Sequence, residues 1–272
     1  MAKKKKRRVP FKALPKEIKT RKIVTWVISG VAALSLGYFA FYCLEAHDTQ
    51  QSYERLSDLK DSDFTLLSPA RFTVDDIETP DILEDYITLY NNNKSLIGWI
   101  KIDDTLIDYP VMQSSNADYY LDHNFDQKKD NNGSIFIDPD CSIWPRSENI
   151  LIYGHNMKSG KMFGQLKKYK QQSFYEDHQF ISFDTLYEKG TYQIMYVFND
   201  IVHDEAEVAF KYYQFISANS AEEFNSYMDT MKEMSLYDTG VTAYWGDELI
   251  TLSTCDYSKG AERFAVVAKK IN

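Results

Sequence analysis

An uncharged apolar segment, residues 23–44, constrains this chain more than any other feature of its sequence. At 1.5 Å per residue, its 22 residues would form a helix about 33 Å long, enough to span a bilayer core of about 30 Å. A cleaved signal peptide is the main alternative, but its apolar region is about 7–15 residues long and ends in small residues. The bulky end FAFYCL instead predicts an uncleaved transmembrane helix over residues 23–44.

Charge is distributed unevenly on the two sides of this segment. Residues 1–22 carry eleven Lys and Arg against one acid, whereas residues 45–272 hold 20 basic and 39 acidic residues, a formal charge of −19. Basic residues mark the cytoplasmic end of a membrane helix, so we expect a single-pass protein of the cell membrane with a cytoplasmic arm and residues 45–272 outside the cell. Nucleic-acid binding is the other interpretation of a basic arm. Because the basic arm precedes an apolar helix, membrane orientation explains its charge better, and we predict no nucleic-acid partner.

The chain after the apolar segment divides into a polar part, 45–78, predicted to be a stalk or linker, and a folded domain, 79–272. A helix is expected over 79–93, with Thr79 as its cap and Pro80 in its first turn. A second helix, 217–234, begins with a capping-box pattern at Ser220 and Glu223. Short runs rich in Ile, Val, Tyr and Phe, separated by turn residues, predict eight strands in a barrel or sandwich, a mainly β fold. The predicted strands are residues 97–102, 106–112, 134–138, 149–154, 179–183, 192–198, 248–254 and 263–271.

The three cysteines do not form a disulfide framework for an exported domain of this size, although Cys141 and Cys255 could pair. Cys255 ends an apolar strand, and Arg263 begins the next one. If these strands pair, their backbones lie about 4.8 Å apart, so Arg263 can project beside Cys255. A nearby cation favours the thiolate, and a guanidinium can hold an oxyanion. On the pattern alone, a buried structural cysteine is the favoured interpretation.

A cysteine acyl-transfer enzyme also needs a group that moves protons, and histidine is the usual choice. His155 follows the strand NILIYG, and a polar ring at the end of a buried strand is a common place for a catalytic group. A histidine satisfied within the core is the alternative interpretation. His123, in YYLDHNFDQ, is a second candidate that fits a loop residue better. The residues alone therefore indicate a trio of Cys255, His155 and Arg263.

Several segments of residues 80–272 resemble the sortase family in both content and order. They are GWIKIDDTLIDYPVMQ, DYYLDHNFD, GSIFID, NILIYGHNM followed by MFGQL, and TLSTC followed by Arg263. The resemblance implies an eight-stranded β-barrel. The N-terminal helices and the helix inserted before the last two strands are similar to class B members. The seven-residue connection between Cys255 and Arg263 is short for class B, which leaves the shape of that loop open.

The resemblance also implies roles for individual residues. By position, Cys255 resembles the nucleophile of the TLxTC motif, His155 the general acid/base, and Arg263 the residue that orients substrate and stabilises the oxyanion. Three further positions resemble residues that line the class B peptide groove: Tyr153, Ser253 and Leu121. Asp256, beside the thiol, fits a turn residue better than a catalyst.

The implied reaction is cleavage of an NPxTN-like or NPxTG-like C-terminal sorting signal after its Thr, through a thioacyl-enzyme, and transfer to an amine of a cell-wall precursor. It needs no cofactor. The implied partners are surface proteins that carry the signal, the peptidoglycan precursor and the membrane. Three alternatives remain: a pilin-polymerising sortase with a Lys acceptor, a hydrolytic cysteine peptidase, and a catalytically silent, membrane-tethered binding domain. The intact trio argues against the last of these, although a fold alone does not exclude it.

Overall fold

The structure, a computed structural model, describes residues 11, 15–60, 73–74, 77–201, 209–255 and 258–272; for residues 42–50, 73–74, 77, 255 and 258–261 only the backbone is described. Most of the predicted basic arm, together with Asp256, lies outside the described residues. The helices are α1 (Lys16–Lys60), α2 (Glu84–Asn92), α3 (Gln172–Asp177) and α4 (Ala221–Met234). The strands are β1 (Thr73–Val74), β2 (Ile77–Glu78), β3 (Leu96–Lys101), β4 (Asp108–Met112), β5 (Ile135–Ile137), β6 (Asn149–His155), β7 (Phe180–Thr185), β8 (Thr191–Ile201), β9 (Leu249–Cys255) and β10 (Ser258–Lys270).

The chain divides into two compact units, Met1–Glu54 and Arg55–Asn272. In the first unit, the part of α1 from Lys16 to Phe41 has a mean hydropathy of 1.8 over its most apolar window, none of which is buried within the protein. An exposed apolar helix of this length fits a membrane anchor. The division predicted from the sequence, at 1–22, 23–44, 45–78 and 79–272, stays a prediction.

Eight strands of the second unit form a closed barrel in the order β10–β8–β7–β3–β4–β5–β6–β9, which confirms the predicted fold. Most neighbours are antiparallel, but β4 and β5 are parallel, and so are β6 and β9. Closure leaves no strand edge unpaired and encloses an apolar interior. Every residue from Asn149 to Ile152 of β6 is buried, so this part of the strand is covered on both faces.

Helix α4 lies between β8 and β9 in the chain, as predicted for the inserted helix. Phe224, Met228 and Met231 share one face of α4 and are buried in a cluster with residues of β8 and β10. The side chain of Ser220 caps the helix by accepting a hydrogen bond from the Glu223 N–H at 3.2 Å. The Glu223 carboxylate accepts from the Asn219 N–H at 2.8 Å, one residue before the cap, where a capping box would use the cap residue itself.

The predicted start of the first domain helix is wrong, because α2 begins at Glu84 and Thr79 does not cap it. Thr79 is buried instead. The Leu83 N–H donates to the Leu186 carbonyl at 2.8 Å, so the chain before α2 pairs with the loop between β7 and β8. This tertiary contact satisfies a backbone group that the sequence pattern assigned to the helix.

Candidate active site

The parallel strands β6 and β9 bring two of the predicted catalytic residues side by side. Their register pairs His155 with Cys255 and, two residues earlier, Tyr153 with Ser253. Paired backbones in a sheet lie about 4.8 Å apart, so the two strand ends form one short edge of the barrel. Parallel pairing across a separation of 100 residues could not be derived from either segment alone.

Arg263 lies within the third strand, β10, which begins at Ser258. This strand pairs antiparallel with β9 and matches Ala265 with Ser253, so Arg263 is level with the end of β9. The half-buried Arg263 donates from Nη1 to the Thr254 carbonyl at 3.2 Å, one residue before Cys255. The backbone thus gathers the predicted trio on three adjacent strands, in the order His155, Cys255, Arg263.

The half-buried His155 ring is held by a main-chain group from a distant part of the chain. Its Nε2 lies 2.7 Å from the carbonyl oxygen of Leu121, in a short 3-10 helix over Tyr119–Leu121. The other histidine candidate, His123, stacks on Tyr119 at 4.2 Å between ring centroids and hydrogen-bonds the Tyr119 carbonyl through Nδ1. His123 therefore stabilises the loop, which agrees with its interpretation from the sequence as a loop residue.

A cavity of about 210 Å³ opens beside these strand ends. The three predicted groove residues, Leu121, Tyr153 and Ser253, all line it, and so does Arg263. Its walls combine apolar side chains with a few polar groups, as ligand-binding clefts do.

Two hydroxyl contacts organise the polar wall of this cavity. The Tyr153 hydroxyl donates to Asp138 Oδ2 at 3.1 Å, and the Tyr212 and Ser253 hydroxyls lie 2.8 Å apart. Burial, followed by the negative charge of Asp138, raises the pKa of Tyr153 far above its ordinary value. Tyr153 therefore stays a protonated donor at neutral pH.

Sequence reasoning missed Asp138 and Tyr212 as cavity residues. Asp138 follows the buried strand Ile135–Ile137, the same signal that singled out His155, so it could have been found. Tyr212 lies in a 3-10 helix between β8 and α4, and no periodic pattern distinguishes it from its neighbours. Its role depends on a contact made across 41 residues.

Cys141 provides a contrast with the thiol at the end of β9. It is a free, buried cysteine whose Sγ accepts a hydrogen bond from the Leu151 N–H at 3.4 Å. Burial raises the pKa of the Cys141 thiol to about 12. A thiol held protonated and shielded from solvent is a poor nucleophile, so Cys141 is a structural residue.

Comparison with known proteins agrees with this geometry. The family described as "Sortase domain" matches residues 100–271. Sortase B of Listeria monocytogenes is 32% identical over 253 residues, which cover 90% of this chain and 96% of that protein.

Solved structures show the same similarity. A crystal structure of sortase B from B. anthracis in complex with AAEK1 aligns with a TM-score of 0.69 and 28% identity, over 84% of this chain and 99% of that one. A Staphylococcus aureus sortase B–substrate complex aligns with a TM-score of 0.67 and 28% identity, over 83% and 94% of the two chains.

Proposed function

Because this chain belongs to the sortase family and is a cysteine transpeptidase of the class B type, we propose that it cleaves an NPxTN-like or NPxTG-like sorting signal after Thr. The new carboxyl end of the surface protein then joins an amine of a peptidoglycan precursor. Cell-wall sorting is the activity of the class. The motif, the acceptor and the residue roles that follow belong to the proposal.

The register of β6 and β9 carries the proposal, because it pairs His155 with Cys255 two residues beyond Tyr153 and Ser253, which line the cavity. A nucleophile and a proton-transfer group must lie within reach of one reacting atom. Arg263, on the next strand, adds a permanent positive charge and a fixed fork of donors at the same edge.

The proposed reaction proceeds in two stages. In the first, the Cys255 thiolate attacks the Thr carbonyl, Arg263 stabilises the oxyanion, and protonated His155 gives its proton to the departing amine nitrogen as the peptide bond breaks. In the second stage, neutral His155 takes a proton from the acceptor amine, whose nitrogen attacks the thioester carbonyl. The amide forms, and the Cys255 thiolate leaves unchanged.

The cavity offers the substrate both apolar contact and oriented hydroxyl groups. Leu121 provides an apolar wall, while Tyr153 and Ser253 present hydroxyl groups that are already oriented by Asp138 and Tyr212. Groups oriented before the substrate arrives lose little entropy on binding. We assign to this wall the residues of the signal that precede the Thr.

The apolar part of α1 suits an enzyme that acts on exported proteins at the membrane surface. We propose that it crosses the membrane once, with the basic arm in the cytoplasm and the barrel outside, because the Lys- and Arg-rich end marks the cytoplasmic side. An exported substrate and a lipid-linked acceptor would then share one surface with the enzyme, which raises their effective concentrations.

The test uses the full chain in detergent micelles with quenched fluorescent peptides that contain NPQTN, SPKTG or LPETG. We expect cleavage of one or both of the first two after Thr, and a new amide when an amine is added. Cys255→Ser should abolish both activities, whereas the matched substitution Cys141→Ser should leave them intact. Equal cleavage by Cys255→Ser, or cleavage at another bond, would contradict the proposal. Transfer only to a Lys-bearing pilin peptide would favour the polymerising alternative.

A further inference from the structure

The loop that contains Leu121 is fixed through its main-chain carbonyl groups. The five consecutive carbonyls of residues 119–123 each accept a hydrogen bond at 2.7–2.9 Å. In order, the donors are His123 Nδ1, Ser134 N, His155 Nε2, Asp130 N and Ser134 Oγ. Of these five bonds, the one to Leu121 comes from strand β6 and ties the loop to the catalytic edge.

Gly133 supports the same loop from behind. Its φ is +60°, and a β-carbon at this position would lie 2.5 Å from the Tyr120 oxygen and 2.7 Å from the Leu121 oxygen. Atoms do not approach that closely, so any side chain at Gly133 would displace these two carbonyls. The position of the Leu121 carbonyl therefore depends on the glycine.

The bond to Leu121 determines where the protons of His155 are. A carbonyl oxygen can only accept, so the His155 nitrogen 2.7 Å away, Nε2, must carry a hydrogen. Nδ1 is then the ring nitrogen that can gain or lose a proton without breaking this bond. The hydrogen bond made by one nitrogen of a histidine sets the role of the other.

We infer that the Leu121 main-chain carbonyl is a positioning group that holds His155 as the Nε2–H tautomer and makes Nδ1 the nitrogen that exchanges protons during transpeptidation. The inference rests on the proposed role of His155. The Nε2–H bond stays intact throughout the cycle: Nδ1 gives its proton to the departing amine and regains one from the acceptor amine. The ring need not turn over between the two stages.

The arrangement also connects substrate binding to proton transfer. The side chain of Leu121 lines the cavity, while its carbonyl holds His155. A peptide that packs against this side chain therefore presses on the residue that orients the ring. Leu121, predicted from the sequence as a groove residue, acquires a second role through its backbone.

The first experiment observes the tautomer directly. Full-length protein labelled with ¹⁵N-histidine, in detergent micelles, is examined by long-range ¹H–¹⁵N correlation spectra at a pH where His155 is neutral. The His155 signals are assigned by their loss in His155→Gln. We expect a protonated Nε2 with a downfield, slowly exchanging proton. A protonated Nδ1 would overturn the inference.

The second experiment moves the carbonyl and uses a matched glycine as control. Gly133→Ala should lower kcat about tenfold or more, because a misplacement of about 1 Å is costly in catalysis, and should remove the downfield Nε2 proton. Gly240 also has a positive φ, +72°, but nothing lies within 4 Å of a β-carbon there. Gly240→Ala should keep kcat within about twofold and leave the His155 spectrum unchanged.

The outcomes separate this inference from the proposed function. If His155→Gln is inactive but Gly133→Ala keeps full kcat and the wild-type spectrum, the positioning role is wrong while the catalytic role stands. If His155→Gln stays active, the catalytic role itself is wrong. If Gly133→Ala does not fold, the tautomer of the unchanged protein still decides the question.

Discussion

The two ends of strands β6, β9 and β10 are built differently. We call the end with His155, Cys255 and Arg263 the site end, and the other, where β6 and β9 begin and β10 finishes, the closed end. At the site end, the Tyr153–Asp138 and Tyr212–Ser253 pairs line a cavity together with Arg263. At the closed end, charged groups fill the space between the strands.

Arg146 is the centre of the closed end, and its side chain is only 8% exposed. It donates to the Leu249 carbonyl at 3.0 Å and to the Tyr192 hydroxyl at 3.1 Å. Glu248 lies 3.4 Å from its Nε and 2.8 Å from Lys270 Nζ. These bonds join the strands β8, β9 and β10.

The difference shows how one barrel combines stability at one end with substrate binding at the other. The ionic cluster at the closed end places the buried Arg146 guanidinium beside the Glu248 carboxylate and joins the strands, so its groups contribute to stability. At the site end, polar side chains line a space that a substrate can fill. The same chemical substitution should therefore affect activity at one end and stability at the other.

Arg263→Lys should produce the largest effect of the comparison. We expect kcat/KM to fall about 100-fold, near 2.7 kcal/mol, because an ammonium cannot reproduce the fixed donors that hold an oxyanion. The melting temperature should change little, since Arg263 is only half buried. Peptide cleavage assays and calorimetry measure the two quantities. A normal kcat/KM in this variant would show that Arg263 takes no part in the reaction.

Arg146→Lys is the same substitution at the closed end, with the opposite expectation. An ammonium cannot reach all the partners of the guanidinium, so we expect a loss of about 2 kcal/mol in the free energy of unfolding. Activity per folded molecule should stay normal. Denaturant titration provides the measurement. Reduced kcat/KM at unchanged stability would show that the two ends are not separate in function.

Tyr212→Phe should have a smaller effect at the site end. The change removes the hydroxyl 2.8 Å from Ser253 and leaves a buried group without that partner, at a cost of about 1 kcal/mol in stability. We also expect a KM several-fold higher with kcat nearly unchanged, because the pair orients the groove rather than the reacting atoms. Steady-state kinetics with the cleaved peptide tests this. A fall in kcat alone would contradict it.

The smallest expected difference between the two ends is in how alkaline pH lowers the free energy of unfolding. At the closed end, burial raises the pKa of Tyr192, but the positive charges of Arg146 and Lys270 oppose the rise. At the site end, burial and the negative charge of Asp138 both raise the pKa of Tyr153. A raised phenol pKa favours the folded state below about pH 10, and this advantage is lost as pH rises further, because only the unfolded chain ionises.

Unfolding free energies at pH 9 and pH 11 measure this loss. Tyr153→Phe should reduce the loss by about 1 kcal/mol relative to the unchanged protein, because that phenol no longer resists ionisation. Tyr192→Phe should reduce it less. An equal reduction in both variants would mean that the positive charges at the closed end do not act on Tyr192.

The sequence predicted much of this architecture because apolar runs bounded by turn residues specify strands locally. The runs at 149–154 and 248–254 fall within one residue of β6 and β9. The start of α2 was misplaced because the Leu83–Leu186 bond, a tertiary contact, replaces the helical pairing. The partners of the site could not be predicted for the same reason. His155 meets Leu121 across 34 residues, and Tyr212 meets Ser253 across 41.

Trapping the covalent intermediate tests the central claim most directly. The full chain is incubated with the cleaved sorting peptide in the absence of an amine, quenched in acid, and mapped by mass spectrometry. The account predicts an acyl group that ends in Thr, attached through a thioester to the peptide containing Cys255. Cleavage that proceeds with no acyl group on Cys255, or with the acyl group on Cys141, would contradict it.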